Sequence, residues 1–255
     1  MSSQSLKNKL QNQELTIGSW ISLAHPAIAE IFCKAGYDWL TIDLEHSVIS
    51  LKETEELIRI IDLHGVTPLV RLSSINETQV KRVLDSGAKG VIVPNIKNAH
   101  EVKTVHSWMN YPDQGGHRGV GLARAQAYGP GFKNYMSNCS NELSLIVQIE
   151  SAQALENIDE ILSCPEVDAF MVGPYDLSAS LGIPGEFDHP KLKEALNSIY
   201  KAGKHHGKSS GTHVVEPNPE ELSMKIEEGL NFIAYSVDFR MLDTCARSGT
   251  VHKSK

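Results

Sequence analysis

Short apolar runs separated by amphipathic stretches recur along the whole chain. The runs are TIGSWISL (16–23), DWLTIDL (38–44), TPLVRL (67–72), GVIVPNI (90–96), SLIVQIE (144–150), AFMVGP (169–174), SSGTHVV (209–215) and NFIAYSV (231–237). Most are near-continuously apolar, as strands of a parallel sheet read when both faces are covered. Between them, helical spacing is clear in HPAIAEIFCKAG, LKETEELIRIIDLHG, NETQVKRVLDSGAKG and NAHEVKTVHSWM. Gly36, Gly65, Gly87 and Gly229 follow a last apolar turn, where a glycine at positive φ ends a helix. Asn76 and Ser151 stand where helices would start.

Eight strands in strict alternation with helices predict a single-domain α/β fold, the (β/α)8 or TIM barrel, in preference to an open doubly wound sheet. No GxGxxG follows the first strand, which counts against a dinucleotide-binding alternative. The expected layout is a polar N-terminal segment over 1–15, the barrel over 16–247 and a short polar tail over 248–255. One connection is out of proportion. Residues 110–142 include YPDQGGHRGVGLARAQAYGPGF, and so long a loop reads as a lid or binding loop, with disorder the plainer alternative.

Composition narrows the function classes. A formal net charge of −7 lacks the basic footprint of a nucleic-acid binder. No run approaches the roughly 20 apolar residues of a membrane span, and the polar N-terminus has no signal-peptide core, so a cytoplasmic protein without membrane partners is expected. Cys33, Cys139, Cys164 and Cys245 are scattered with no CxxC, as in a chain with reduced thiols.

In such a barrel the chemistry sits at the C-terminal ends of the strands. Strand two ends in Asp43-Leu44-Glu45-His46, strand three in Arg71, strand five in Gln148-Ile149-Glu150 and strand six in Gly173-Pro174-Tyr175-Asp176. Glu150 and Asp176 come from adjacent strands, and two carboxylates brought together need a cation or a shared proton. Oxygen ligands without Cys suit Mg²⁺ or Mn²⁺; the structural alternative is that one carboxylate caps a helix such as that starting near Ser151. His46 has the chemistry of a proton carrier near neutral pH, with Asp43 available to orient its ring, although any one of 11 histidines can simply lie on the surface. Arg71 ends an apolar strand, so its charge emerges in the mouth to grip a carboxylate or developing enolate, or to pair with Asp43 or Glu45.

With these residues in place, the chain resembles the class II, metal-dependent pyruvate aldolases, including the 4-hydroxy-2-oxoheptane-1,7-dioate and 2-keto-3-deoxy-sugar-acid aldolases, in the superfamily that holds citrate-lyase-type enzymes. The resemblance runs from about residue 16 to 247 and rests on DLEH (43–46), PLVR (68–71), VPNI (93–96), RGVGLARA (118–125), VQIES (147–151) and GPYDLSASLG (173–182). It implies a carbon–carbon lyase that reversibly cleaves a 2-keto-4-hydroxy acid to pyruvate and an aldehyde. Glu150 and Asp176 would hold Mg²⁺, Mn²⁺ or Co²⁺, Arg71 would stabilise an enolate oxygen, and His46, oriented by Asp43, would move protons through a water. Gln148, Gly173, Pro174 and Tyr175 would line the pyruvate end, with backbone amides near Tyr175 and Asp176 on the substrate carboxylate. A homo-oligomer, trimer or hexamer, is implied as well.

Two positions depart from that pattern. Tyr175 stands where many relatives carry a small residue or Asn, and Thr212-His213-Val214 replace a mostly apolar stretch that faces the aldehyde. His213 therefore reads either as a contact for a polar, sugar-like aldehyde or as a satisfied buried histidine. Three other outcomes share this scaffold: oxaloacetate decarboxylation, lysis of a malyl-CoA-type acyl-CoA, and a non-catalytic metabolite-binding barrel.

Overall fold

The structure, a computed structural model, describes residues 4–250. Within them β1 (Thr16–Ile21), β2 (Trp39–Asp43), β3 (Thr67–Arg71), β4 (Gly90–Val93), β5 (Ser144–Ile149), β6 (Ala169–Val172), β7 (Ser209–Val214) and β8 (Phe232–Val237) pair in parallel, in chain order, and β8 closes onto β1. Helix α1 (Leu6–Gln11) precedes the barrel; α2 (Pro26–Lys34), α3 (Leu51–Leu63), α4 (Glu77–Asp85) and α5 (Ala99–Met109) follow the first four strands. Helix α6 (Phe132–Glu142) leads into β5, and α7 (Ala152–Glu156) and α8 (Ile158–Leu162) leave it. Helices α9 (Pro174–Ser180) and α10 (Pro190–His205) follow β6, α11 (Pro219–Glu227) follows β7, and α12 (Asp238–Ser248) follows β8. This is the single-domain (β/α)8 barrel that the alternation predicts.

Local signals act where they were read. Gly36, Gly65, Gly87 and Gly229 all take positive φ beyond their helices, and the side chains of Asn76 and Ser151 accept from the amides of Gln79 and Ala154. The fourth run is cut short. β4 stops at Val93 because Pro94 offers no N–H to a ladder and Asn95 turns to φ 52°.

Two apolar layers hold the barrel. Between strands and helices, α3 buries Leu57, Ile58 and Ile61 beneath an exposed polar face, each contributing about 1.5–3 kcal/mol. Inside the barrel, Trp39 stacks on Phe232 with ring centroids 4.4 Å apart. Gly18 is what admits Trp39: a Cβ there would lie 2.0 Å from the indole. The bottom is sealed by α1. Leu6 and Leu10 enter the interior cluster with Trp39 and Phe232. The Lys7 Nζ donates to Asp168 Oδ2 at 2.8 Å and to the Leu143 carbonyl at 2.9 Å, and the Ser209 hydroxyl donates to the Leu10 carbonyl at 2.7 Å. Part of the polar stretch 1–15 is thus a structural plug. Residues 1–3 and 251–255, the latter most of the tail expected over 248–255, lie outside the described residues.

Along each strand, alternate residues face inward, and the inward series turns polar at the top. Trp39-Thr41 leads to Asp43, Leu69 to Arg71, Ile146 to Gln148, and Gly211 to His213. The same alternation that packs the interior delivers the polar set to the C-terminal mouth.

Candidate active site

Asp43 and Arg71 are register partners on β2 and β3. The guanidinium grips the carboxylate through two parallel bonds, Nε to Oδ1 at 2.9 Å and Nη2 to Oδ2 at 2.6 Å, while Nη1 lies 3.4 Å from Glu45 Oε2. Its carbon sits 4.3 Å from the centroid of the Trp20 ring, so charge, fork geometry and an aromatic face together fix it. Asp43 also accepts from the backbone amides of Glu45 and His46. Burial pushes its carboxyl up, but Arg71 and those amides outweigh this and hold it below the usual carboxylate range. The His46 ring itself lies at the rim, 3.7 Å from Glu45 Oε2. Asp43 therefore meets His46 at its backbone, not at its imidazole.

Glu150 is buried, only 7 % exposed. Oε1 accepts from the Asn95 amide at 2.6 Å and Oε2 from Gln148 Nε2 at 2.5 Å. The amide that reaches it is the one turned inward by the left-handed Asn95. Ser151, not Glu150, caps α7, so Glu150 is free of that helix. Burial, then the neighbouring charge of Glu45, and further on that of Asp176, raise its carboxyl to about 7, against the pull of the two donors. Gly173 leaves room for it: a Cβ there would lie 2.7 Å from Glu150 Oε2. Asp176 sits in the first turn of α9, exposed toward the mouth.

A cavity of about 330 Å³ opens over this floor, lined by Asp43, His46, Arg71, Gln148, Gly173, Pro174, Tyr175, Asp176 and His213 together with Trp20 and apolar residues of β6 and β8. Glu150 stands directly behind Gly173 and Gln148. Among the described residues no three His, Cys, Asp or Glu side chains converge as a ready cation cage. The donor set nonetheless fits a hard divalent ion: the carboxyl of Glu150 just past β5, held ionised only with difficulty, that of Asp176 in the first turn of α9 after β6, and a buried Gln148 Oε1 without a partner.

The family model described as HpcH/HpaI aldolase/citrate lyase matches residues 16–243. The chain belongs to the HpcH/HpaI aldolase/citrate lyase family. It is 36% identical over 237 residues to a 2-keto-3-deoxy-L-rhamnonate aldolase of Klebsiella pneumoniae, covering 92% of this chain and 88% of that one. Among solved structures, an HpcH/HpaI aldolase/citrate lyase family protein of Burkholderia cenocepacia superposes with a TM-score of 0.91 at 30% identity, over 100% of both chains. An HpcH/HpaI aldolase of Desulfitobacterium hafniense does so with 0.91 at 30%, over 99% of this chain and 98% of that one. This HpcH/HpaI protein is accordingly a carbon–carbon lyase, an aldolase acting on small molecules.

Two contributors to the site of this aldolase, Trp20 and the Asn95 amide, have no role in the sequence reading, and a third, Glu45, figures there only as a possible partner of Arg71. Glu45 belongs to the acidic group, its carboxyl raised by burial and by Asp43 and Asp176 in spite of Arg71. Trp20 backs Arg71, and the Asn95 amide holds Glu150. The DLEH and VPNI motifs contained two of these signals. The long connection expected as a lid lies elsewhere: it joins the C-terminal end of α5 to β5 and so runs at the opposite end from the mouth. Arg118, fully buried, ties it to Asp85 at 2.6 Å, and Arg124 ties it to Asp62 at 2.5 Å.

Proposed function

We propose that the enzyme cleaves a 2-keto-3-deoxy sugar acid between C3 and C4, giving pyruvate and an aldehyde, and runs the reverse condensation. The observation that carries this is the meeting, at one mouth, of the Arg71 guanidinium with the buried carboxyl of Glu150 and the exposed carboxyl of Asp176. In this reading Glu150 and Asp176 hold Mg²⁺, Mn²⁺ or Co²⁺. When bound, the ion supplies Lewis-acid polarisation of the 2-keto group. Arg71, locked by Asp43 and Trp20, donates to the oxygen at C2 where negative charge gathers. The first-turn amides of Tyr175 and Asp176, which have no acceptor within α9, suit the substrate carboxylate. Gln148 and Gly173 shape the pyruvate end, and Pro174 starts α9 at its rim.

His46, at the rim, takes the proton of the C4 hydroxyl through a water. The C3–C4 bond breaks, its electron pair passes toward C2, and the same proton route returns one hydrogen to C3 to give the methyl group of pyruvate. His213 faces the aldehyde half. A cytoplasmic setting fits the four unpaired thiols, and no helix among the described residues is long and apolar enough to cross a membrane. Assembly into a homo-oligomer, a trimer or hexamer, belongs to the same reading, and Val120, Leu122 and Tyr128 on the long connection expose apolar side chains that a neighbouring copy would cover.

The test is pyruvate release over a panel of 2-keto-3-deoxy acids, with Mg²⁺, Mn²⁺ and Co²⁺ compared after chelation. Oxaloacetate and malyl-CoA run alongside. Release that survives chelation and the Asp176→Asn substitution refutes the assignment, and preferred turnover of oxaloacetate or malyl-CoA replaces the substrate class.

A further inference from the structure

One wall of the mouth is built with more care than the pyruvate chemistry requires. His213 faces inward near the end of β7, opposite Ala234 on β8. Its Nε2 lies 3.1 Å from the Ser236 carbonyl. A carbonyl only accepts, so the ring must carry its hydrogen on Nε2. Nδ1 has no partner within the described protein and is not among the buried atoms left without one. A neutral ring with Nε2–H keeps an acceptor lone pair at Nδ1, and the ring lines the cavity. Burial, helped by the charge of Arg71, pushes its pKa down to about 4 even against the Ser236 carbonyl, so it stays neutral at ordinary pH.

The carbonyl that fixes the ring is itself held in an unusual way. The register between β1 and β8 slips between Gly18 and Trp20, opposite Ala234 and Val237. Ser236 falls in that bulge, fully buried, at φ 54°. Side chains other than Gly, Asn and Asp rarely occupy this region, and such strain is held where it aims a group. Its own side chain pins it: the Ser236 hydroxyl donates to the Val215 carbonyl at 2.9 Å, while the single hydrogen of the Ser19 hydroxyl is shared between the Tyr235 carbonyl at 2.8 Å and the Ser236 carbonyl at 3.2 Å. Trp20 closes the other side of the ring, with centroids 5.7 Å apart.

An acceptor in this place cannot recognise a carboxylate or a carbonyl oxygen, since both only accept. It recognises a donor. We infer that His213 is a specificity-determining residue whose Nδ1 accepts a hydrogen bond from a hydroxyl on the aldehyde half of the substrate, and that Ser236 is the positioning residue that sets its tautomer. The substrate class is then a hydroxyaldehyde in the condensation direction, with its carbon skeleton against Trp20 and the valines of the wall. This rests on the aldolase reading given above.

The experiment compares condensation of pyruvate with lactaldehyde and with propionaldehyde, which differ by one hydroxyl, in wild type, His213→Leu and His213→Asn. Wild type should favour lactaldehyde in kcat/KM by about tenfold or more, the worth of one hydrogen bond to an otherwise unpaired acceptor. Leu should bring that ratio near one, and Asn, whose Oδ1 takes the place of Nδ1, should recover part of it. Nitrogen-15 NMR of the metal-loaded wild-type enzyme should show His213 protonated at Nε2 alone, a readout independent of whether the Leu variant folds. A hydroxyl preference unchanged in His213→Leu, or a proton on Nδ1, overturns the inference. Wild-type exchange of the pyruvate methyl protons with solvent separates the two levels. If exchange is absent the aldolase reading falls and takes this inference with it; if exchange is present while the ratio is unmoved, only the role of His213 falls.

Discussion

Removing the charge of Glu150 should make the metal-free protein more stable while removing its metal. The carboxyl titrates at about 7 in the folded chain and near 4.5 in the unfolded one. Below pH 4.5 both states are protonated and folding costs nothing on this account. As pH rises toward 7 the unfolded state gives up its proton first, so stability falls, and above 7 the accumulated loss levels off at about 3 kcal/mol. Glu150→Gln keeps the shape and can still accept from Asn95. Its new amide would face Gln148 Nε2, and Gln148 can turn its unpartnered Oε1 toward it. Urea unfolding of chelated wild type and variant at pH 5 and pH 8 measures the difference. The variant should gain little at pH 5 and on the order of 2–3 kcal/mol at pH 8. Mn²⁺ at a hundredfold excess over Kd should close that gap, adding about 2.7 kcal/mol to wild type and nothing to the variant. A stability difference that does not change between the two pH values, or that favours wild type without metal, would refute the claim that Glu150 is a carboxylate held at a cost for a cation.

Gly173→Ala places a methyl group 2.7 Å from Glu150 Oε2; metal affinity, followed by calorimetric titration with Mn²⁺, should weaken roughly 10–100-fold although no charge changes. Arg71→Lys keeps the charge but loses the fork on Asp43 and the face of Trp20. Steady-state assays should then show kcat down about 100-fold or more with pyruvate affinity less affected, and activity within a few-fold of wild type would remove Arg71 from the reacting oxygen.

The fold was largely legible because burial on both faces writes parallel strands as unbroken apolar runs, and the strand ends therefore marked the mouth. What local pattern could not convey is which side of each strand faces in, and against whom. The pair of Asp43 with Arg71 depends on register across two strands, so local pattern leaves Asp43 open between the His46 ring and the guanidinium, and the fold decides for the guanidinium. Trp20 looked like any core residue until barrel closure set it beneath that guanidinium. Helix α6 escaped notice because its buried side is little more than Tyr135 and Cys139, one turn apart. The placement of the long connection needed topology: a segment that leaves the C-terminal end of a barrel helix starts at the face away from the mouth, whatever its composition suggests.

The plug beneath the barrel also bears on how the chain folds. The bonds that seat residues 7–13 join them to Leu143, Asp168, Ser209 and Asn231, across separations of 136, 161, 199 and 218 residues. Such contacts form only after strands late in the chain have closed the ring, because loop closure over those distances must be met by structure already made. Residues near the start of the chain are thus fastened late. Until then the underside of Trp39 and Phe232 stays open to water, and in that interval an unfinished barrel is most exposed to association with its neighbours.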